Sequence, residues 1–174
     1  MEKCVVIYKS KTGFTEKYAH WIGEELGCEI YPVENCNLVH LYDYDLIIFG
    51  GGVRAGKIDG IKFVNKTRSR FPDKKLIIFA TGATPPEETV AIDRVRNMNV
   101  PANSGIPFFY FLSGFNYEKM KGFDKLVMSM VKGVVRRIKD KDGTQDAMLA
   151  AMKNSYDHSS REYIDPLVDY VKSL

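Results

Sequence analysis

The chain of 174 residues has no apolar run long enough to cross a bilayer, so no transmembrane helix is expected. No apolar signal segment precedes the first hydrophobic run, Cys4 to Tyr8, which makes a cytoplasmic location the default expectation. Cysteine is scarce: Cys4, Cys28 and Cys36 form no Cys-x-x-Cys pair, and no histidine lies at metal-ligand spacing from them. A metal site is therefore not expected, and all three are read as reduced thiols, Cys4 as a small buried hydrophobe, with a labile Cys28–Cys36 pair as the alternative. Histidine is equally sparse. His20, His40 and His158 have no serine or cysteine arranged beside them, so they read as surface or packing residues, no catalytic residue is assigned, and hydrolysis is disfavoured. Repeats and low-complexity tracts are also missing. Twenty-five basic residues against 22 acidic ones leave a formal charge of +3, too small a surplus to argue for nucleic acid.

What is present is a regular alternation. Continuous apolar runs at Cys4 to Tyr8, Asp45 to Phe49, Lys75 to Ala80 and Ile106 to Ser113 suit strands buried on both faces, and Glu29 to Val33 reads as a short edge strand limited by Pro32. Between them lie helical patterns. Tyr18, Ala19, Ile22 and Leu26 share one helix face, with Gly27 as the stop. Ile58 to Phe71 reads as a helix capped by Asp59. Pro85-Pro86-Glu87-Glu88 opens another that carries Val90, Ile92 and Val95. Such alternation implies right-handed crossovers and one domain, residues 1–174: an α/β fold with a five-stranded parallel sheet in the order 2-1-3-4-5 and helices on both faces. After the fifth strand an extra helical segment is expected, with an apolar stripe from Phe123 to Ile138 among many basic residues. A last helix bearing Ile164, Leu167, Val168 and Val171 follows a capping-box spacing at Ser159 to Glu162 and should cover the sheet.

The first strand runs into Ser10-Lys11-Thr12-Gly13-Phe14-Thr15 and then into the first helix. A helix start leaves backbone N–H groups unpaired, and these attract an anion. Ser10, Thr12 and Thr15 add hydroxyl donors, Gly13 permits a tight turn, and Lys11 is the loop's one cation. The spacing is neither that of a Walker loop nor that of a dinucleotide-binding turn, which leaves a phosphate held by hydroxyls and amides, or a polar turn with Thr15 as cap. Two further loops, Gly50 to Gly56 and Thr81 to Thr84, also fall at strand carboxyl ends, where ligands of such folds bind. In the second, glycines let backbone approach a planar ring, and Arg54 either reaches a ligand or pairs on the surface.

The run Val6 to Thr15, with Ala19 and Ile22 following, resembles the flavodoxin signature, whose Thr/Ser-x-Thr-Gly-x-Thr loop holds the phosphate of FMN. The resemblance implies an FMN-binding redox protein. Its cofactor site would comprise Ser10, Lys11, Thr12, Gly13, Phe14 and Thr15 at the phosphate, and Gly51, Gly52, Val53, Arg54, Thr81, Gly82, Ala83 and Thr84 about the ring. Gly50-x-x-x-Arg54-x-Gly56, Gly114 to Tyr117 and Phe123-Asp124-Lys125 are similar to the branch of menaquinone-dependent protoporphyrinogen oxidases. That likeness implies a quinone or porphyrinogen as alternative partner to a redox protein; the Phe123 to Ile138 stripe either packs wholly onto the fold, the commoner fate, or is partly exposed and gives membrane-surface contact through Tyr117 to Ile138. The second and third loops lack the aromatic residues that flank the ring in typical flavodoxins. An open flavin face and looser binding are implied, because each stacking contact contributes about 1 kcal/mol. The charge of +3 also departs from the acidic character of such carriers and weakens or reverses steering toward basic partners. Tyr110, Phe115 and Tyr117 are further residues that would approach the ring from the fifth strand. A binding module without redox chemistry remains a third reading of the same fold. A receiver domain is disfavoured because Lys9-Ser10-Lys11 stands where paired acids belong.

Overall fold

The computed structural model describes residues 3–115 and 155–174. The chain divides into two compact units, Met1–Ser113 with Ser159–Leu174, and Gly114–His158. In the second unit the described part is an antiparallel pair, β7 (Gly114–Phe115) with β8 (Tyr156–Asp157). The helix expected over Phe123 to Ile138, the basic cluster around it, and Tyr117 lie outside the described residues. Among the described residues, no helix is long and apolar enough to cross a membrane.

The first unit is built on β1 (Cys4–Lys9), β2 (Glu29–Pro32), β3 (Leu46–Arg54), β5 (Lys75–Gly82) and β6 (Phe108–Leu112), parallel and in the order β2-β1-β3-β5-β6. This is the expected arrangement, with one addition: β4 (Lys57–Ile58) folds back antiparallel on β3. The apolar runs are continuous because each strand feeds two cores. Val6, Ile48, Ile77 and Phe79 face the first helix, α1 (Phe14–Leu26), and the last, α4 (Asp165–Lys172). Val5, Ile7, Ile47, Phe49 and Ile78 face the side of α2 (Lys62–Arg70) and α3 (Thr89–Asn99). Every one of these strand residues is at most 1% exposed, and burying a side chain of this kind stabilises the fold by about 1.5–3 kcal/mol.

Helix α1 buries Tyr18, Ala19, Ile22 and Leu26 as its spacing requires, and ends at Gly27 in a left-handed conformation. Tyr18 ties three segments together. Its hydroxyl donates to the Leu112 carbonyl and accepts from the Ser160 amide, and its ring packs on Trp21 and Phe111. The last helix buries Leu167, Val168 and Val171, and Ile164 just before it, so it covers the sheet as expected. Its start differs, because a 3-10 turn over Arg161–Ile164 precedes it and Ser160 makes no side-chain cap.

Three boundaries move. Strand β3 continues through the glycines to Arg54, because hairpin pairing with β4 extends it. Helix α2 consequently starts at Lys62, and Asp59 is not its cap. Helix α3 begins at Thr89, since Pro85 to Glu88 form a turn, and Val90 is 74% exposed where burial was expected; Val95 alone of the helix is buried.

The cysteine expectation is also corrected. Cys4 and Cys28 are joined as a disulfide, and Cys36 is the free thiol. The left-handed turn at Gly27 delivers Cys28 to the head of β2, where the pairing of Val5 with Glu29 sets it beside Cys4 with α-carbons 5.3 Å apart.

Candidate functional site

The carboxyl ends of β1, β3 and β5 bring the three predicted loops onto one edge of the sheet. The left-handed Gly13 (φ 95°) reverses the chain after β1 and occupies the N-cap position of α1 without any side-chain cap. Thr15 is therefore not the cap. It lies in the first turn, 3% exposed, with its hydroxyl 2.8 Å from that of Thr81, which is buried equally at the end of β5. Ser10 accepts a hydrogen bond from the Gly13 amide (3.1 Å), which closes the loop on itself. Thr12 is half-buried, Phe14 is half-buried, and Lys11 is exposed.

The glycines of β3 divide by role. A side chain on Gly50 would strike the Phe79 ring, and one on Gly51 would strike the Asp59 carbonyl and Ile58. Protein atoms fill those spaces. Gly52 is different: a β-carbon there would lie 3.4 Å from the Thr15 hydroxyl and 3.9 Å from that of Thr81. Its bare backbone thus borders a pair of buried hydroxyls, one from the first turn of α1 and one from the end of β5. In a hydroxyl pair one oxygen accepts, and the proton of the accepting group is left for another partner. This is a cradle of donors suited to an anion or a polar ring edge.

The loop expected from Gly50 to Gly56 is a hairpin. Ala55 (φ 48°) and Gly56 (φ 78°) make a two-residue turn with both φ positive, the kind that matches strand twist, so Arg54 pairs with Lys57. Val53 pairs with Ile58 and is half-buried. Asn99 of α3 pins the turn: its amide donates to the Gly56 and Val95 carbonyls, both at 2.7 Å, and its carbonyl accepts from the Ile58 amide at 2.9 Å. Asp59 follows. Its amide donates to the Gly52 carbonyl (2.9 Å), and its carboxylate takes Arg54 in a two-pronged bond, Nε at 2.9 Å and Nη2 at 2.7 Å. Lys11 Nζ stands 3.9 Å from the same carboxylate. Arg54 thus takes the paired option rather than reaching outward.

At the third loop, the Thr84 amide donates to the Tyr110 hydroxyl (3.1 Å), and a side chain on Gly82 would strike that hydroxyl. Tyr110 of β6 therefore braces Gly82, Ala83 and Thr84, with Ala83 exposed. Burial pushes the Tyr110 phenol above its ordinary value of 10.0, and the bonds from Thr84 pull it part of the way back. A raised folded-state value means that the stability it contributes is present below pH 10 and is lost as pH rises through the folded value. An alkaline titration followed by phenolate absorbance should separate wild type from Tyr110→Phe only above pH 10, with the wild type losing stability over the same interval.

Asp59 and Asn99 were not read as site residues from the sequence. Asp59 carried a signal, a carboxylate five residues after Arg54 in a glycine-flanked segment, which the helical reading masked. Asn99 carried none, because its partners in the hairpin are 41 and 43 residues away. Of the histidines, His20, His40 and His158 are all exposed.

This sheet order, with glycine-turned loops gathered at its carboxyl edge, is the flavodoxin-like α/β architecture. The family profile described as the flavodoxin domain matches residues 5–142, and the chain belongs to that family. It is similar to an uncharacterized protein of Methanocaldococcus jannaschii, 36% identical over 86 residues, which are 48% of this chain and 56% of that protein. The match thus spans little more than half the length of the curated relative. Among solved structures, a flavodoxin from the domain Archaea is 17% identical over 87% of this chain and 99% of its own, with a TM-score of 0.46. A WrbA-like flavodoxin from Agrobacterium tumefaciens is 19% identical over 80% and 100%, with a TM-score of 0.45. A flavoprotein from Lactobacillus acidophilus, solved in complex with FMN, is 16% identical over 64% and 93%, with a TM-score of 0.44.

Proposed function

We propose that the chain binds FMN without a covalent bond at the carboxyl edge of the sheet and serves as a redox protein. The observation that carries the reading is the donor cradle: an uncapped helix start at left-handed Gly13, hydroxyls from Ser10, Thr12 and Thr15 around it, and the bare backbone of Gly52 beside the Thr15–Thr81 pair. The donor set fits a phosphate, because unpaired amides and neutral hydroxyls satisfy its oxygens while the helix dipole favours its charge. Ser10, Thr12, Thr15 and the first amides of α1 would hold the phosphate; Gly52, Val53 and Gly82 to Thr84 would border the ring.

When bound, FMN supplies the electron-transfer chemistry, accepting and releasing electrons at its ring. The chain's own part is positional. The hydroxyl pair fixes the start of α1 against the third loop, Asn99 holds the hairpin, and Tyr110 braces the third loop at Gly82 and Thr84. No side chain is placed as an acid or base in this reading.

The test is titration of the flavin-free protein with FMN and with riboflavin, followed by flavin fluorescence. FMN should bind near one per chain and more tightly than riboflavin. Thr12→Ala should weaken FMN by about tenfold, the worth of a hydrogen bond to a charged group, and leave riboflavin unchanged. A protein that alters neither fluorescence would sink the reading.

A further inference from the structure

The one cation of the phosphate loop and the arginine of the hairpin both meet a single carboxylate. The Asp59 backbone is held by the hydrogen bond its N–H donates to the Gly52 carbonyl, and the N–H of the preceding Ile58 donates to the Asn99 side chain. The Asp59 side chain is 17% exposed, bonded twice by Arg54 and 3.9 Å from Lys11. A fixed negative charge therefore stands at ion-pair distance from the cation nearest the phosphate donors. A phosphate entering the Ser10 to Thr15 loop meets a lysine that already has a counterion.

We propose that Asp59 is an internal counter-anion that competes with the cofactor's phosphate for Lys11 and Arg54, and so holds FMN affinity below what the donor cradle alone would give. The inference rests on the FMN reading. Asp59 gives both cations a shared counterion when the site is empty and leaves the phosphate to be held mainly by hydroxyls and amides.

The experiment compares wild type, Asp59→Asn and Asp59→Ser in FMN and riboflavin titrations at low and high salt. Asparagine keeps the shape and removes the charge; serine removes both. Each variant should bind FMN about fivefold to tenfold more tightly at low ionic strength, the size of effect expected when Lys11 is freed from a unit charge 3.9 Å away in a largely aqueous dielectric. The gain should shrink at high salt, where exposed charges are screened. Riboflavin, which lacks the phosphate, should bind all three proteins alike. Replacing Lys11 and Arg54 together by Met and Gln should erase the gain. A weaker FMN complex in both variants, or equal changes for FMN and riboflavin, would show that Asp59 positions the loops and would overturn the proposal. Unchanged FMN affinity in variants of a wild type that does bind FMN would overturn it alone. Failure of every form, wild type included, to bind FMN would overturn the flavin reading and the proposal with it.

Discussion

Reduction of the Cys4–Cys28 bond should lower the thermal midpoint of unfolding by roughly 6–12 °C. The bond closes a loop of 24 residues in sequence, and cross-linking such a loop restricts the unfolded chain by about 3 kcal/mol in the loop-entropy account. In a chain of this size each kcal/mol moves the midpoint by about 2–4 °C. Both cysteines are 9% exposed, so a reductant works through local opening, and reduction should quicken in mild denaturant. The double replacement Cys4→Ser with Cys28→Ser should fall by a similar amount, while Cys36→Ser, which touches the free thiol, should leave the midpoint nearly unchanged. Thiol counting checks the premise directly. Denatured, unreduced protein should show one reactive thiol per chain, from Cys36; three would mean the bond does not form, and the reductant effect would vanish with it.

That bond also shows where reading the residues stopped. A disulfide depends on which strands are neighbours and in what register, and here a one-residue shift of β2 against β1 would part Cys28 from Cys4. The two buried cores were legible because strands covered on both faces must be apolar at every position, as Val5 to Ile7 and Ile47 to Phe49 are. The turn from β1 into α1 was legible because its requirements are local: a glycine able to turn left-handed at Gly13 and a helix start. The hairpin was not. Gly50 to Gly52 read as an open loop, since three successive glycines signal a bend, yet each sits in β3 for want of space or for access. Asp59 suited a helix cap by its residue type, and only the return of β4 onto β3 turned it toward Arg54 instead. Distant partners such as Asn99 with Gly56, or Thr15 with Thr81, are set by the crossovers and leave no mark in spacing.

Gly50→Ala should destabilise the protein by about 2–3 kcal/mol, and the loss should come almost entirely from Phe79. The two residues are partners across β3 and β5, and the aromatic ring lies over the glycine, in the space that a β-carbon would need. Phe79 has no room to withdraw: it is fully buried and packs on Phe111 with ring centres 5.4 Å apart. Phe79→Ala should by itself cost about 3–5 kcal/mol through the cavity it leaves. In that background Gly50→Ala should cost little, because its methyl enters vacated space, so the double variant falls short of the sum of the two. Denaturant midpoints at unchanged slope measure all four corners of the cycle. If Gly50→Ala is equally harmful with and without the ring, the collision is not its cause. Gly52→Ala supplies the contrast. Its β-carbon meets the Thr15 hydroxyl at an ordinary contact distance of 3.4 Å, so the fold should tolerate it, while the methyl fills the edge of the donor cradle and weakens FMN. The same substitution two residues apart should therefore separate a glycine kept for packing from one that the proposed FMN site requires.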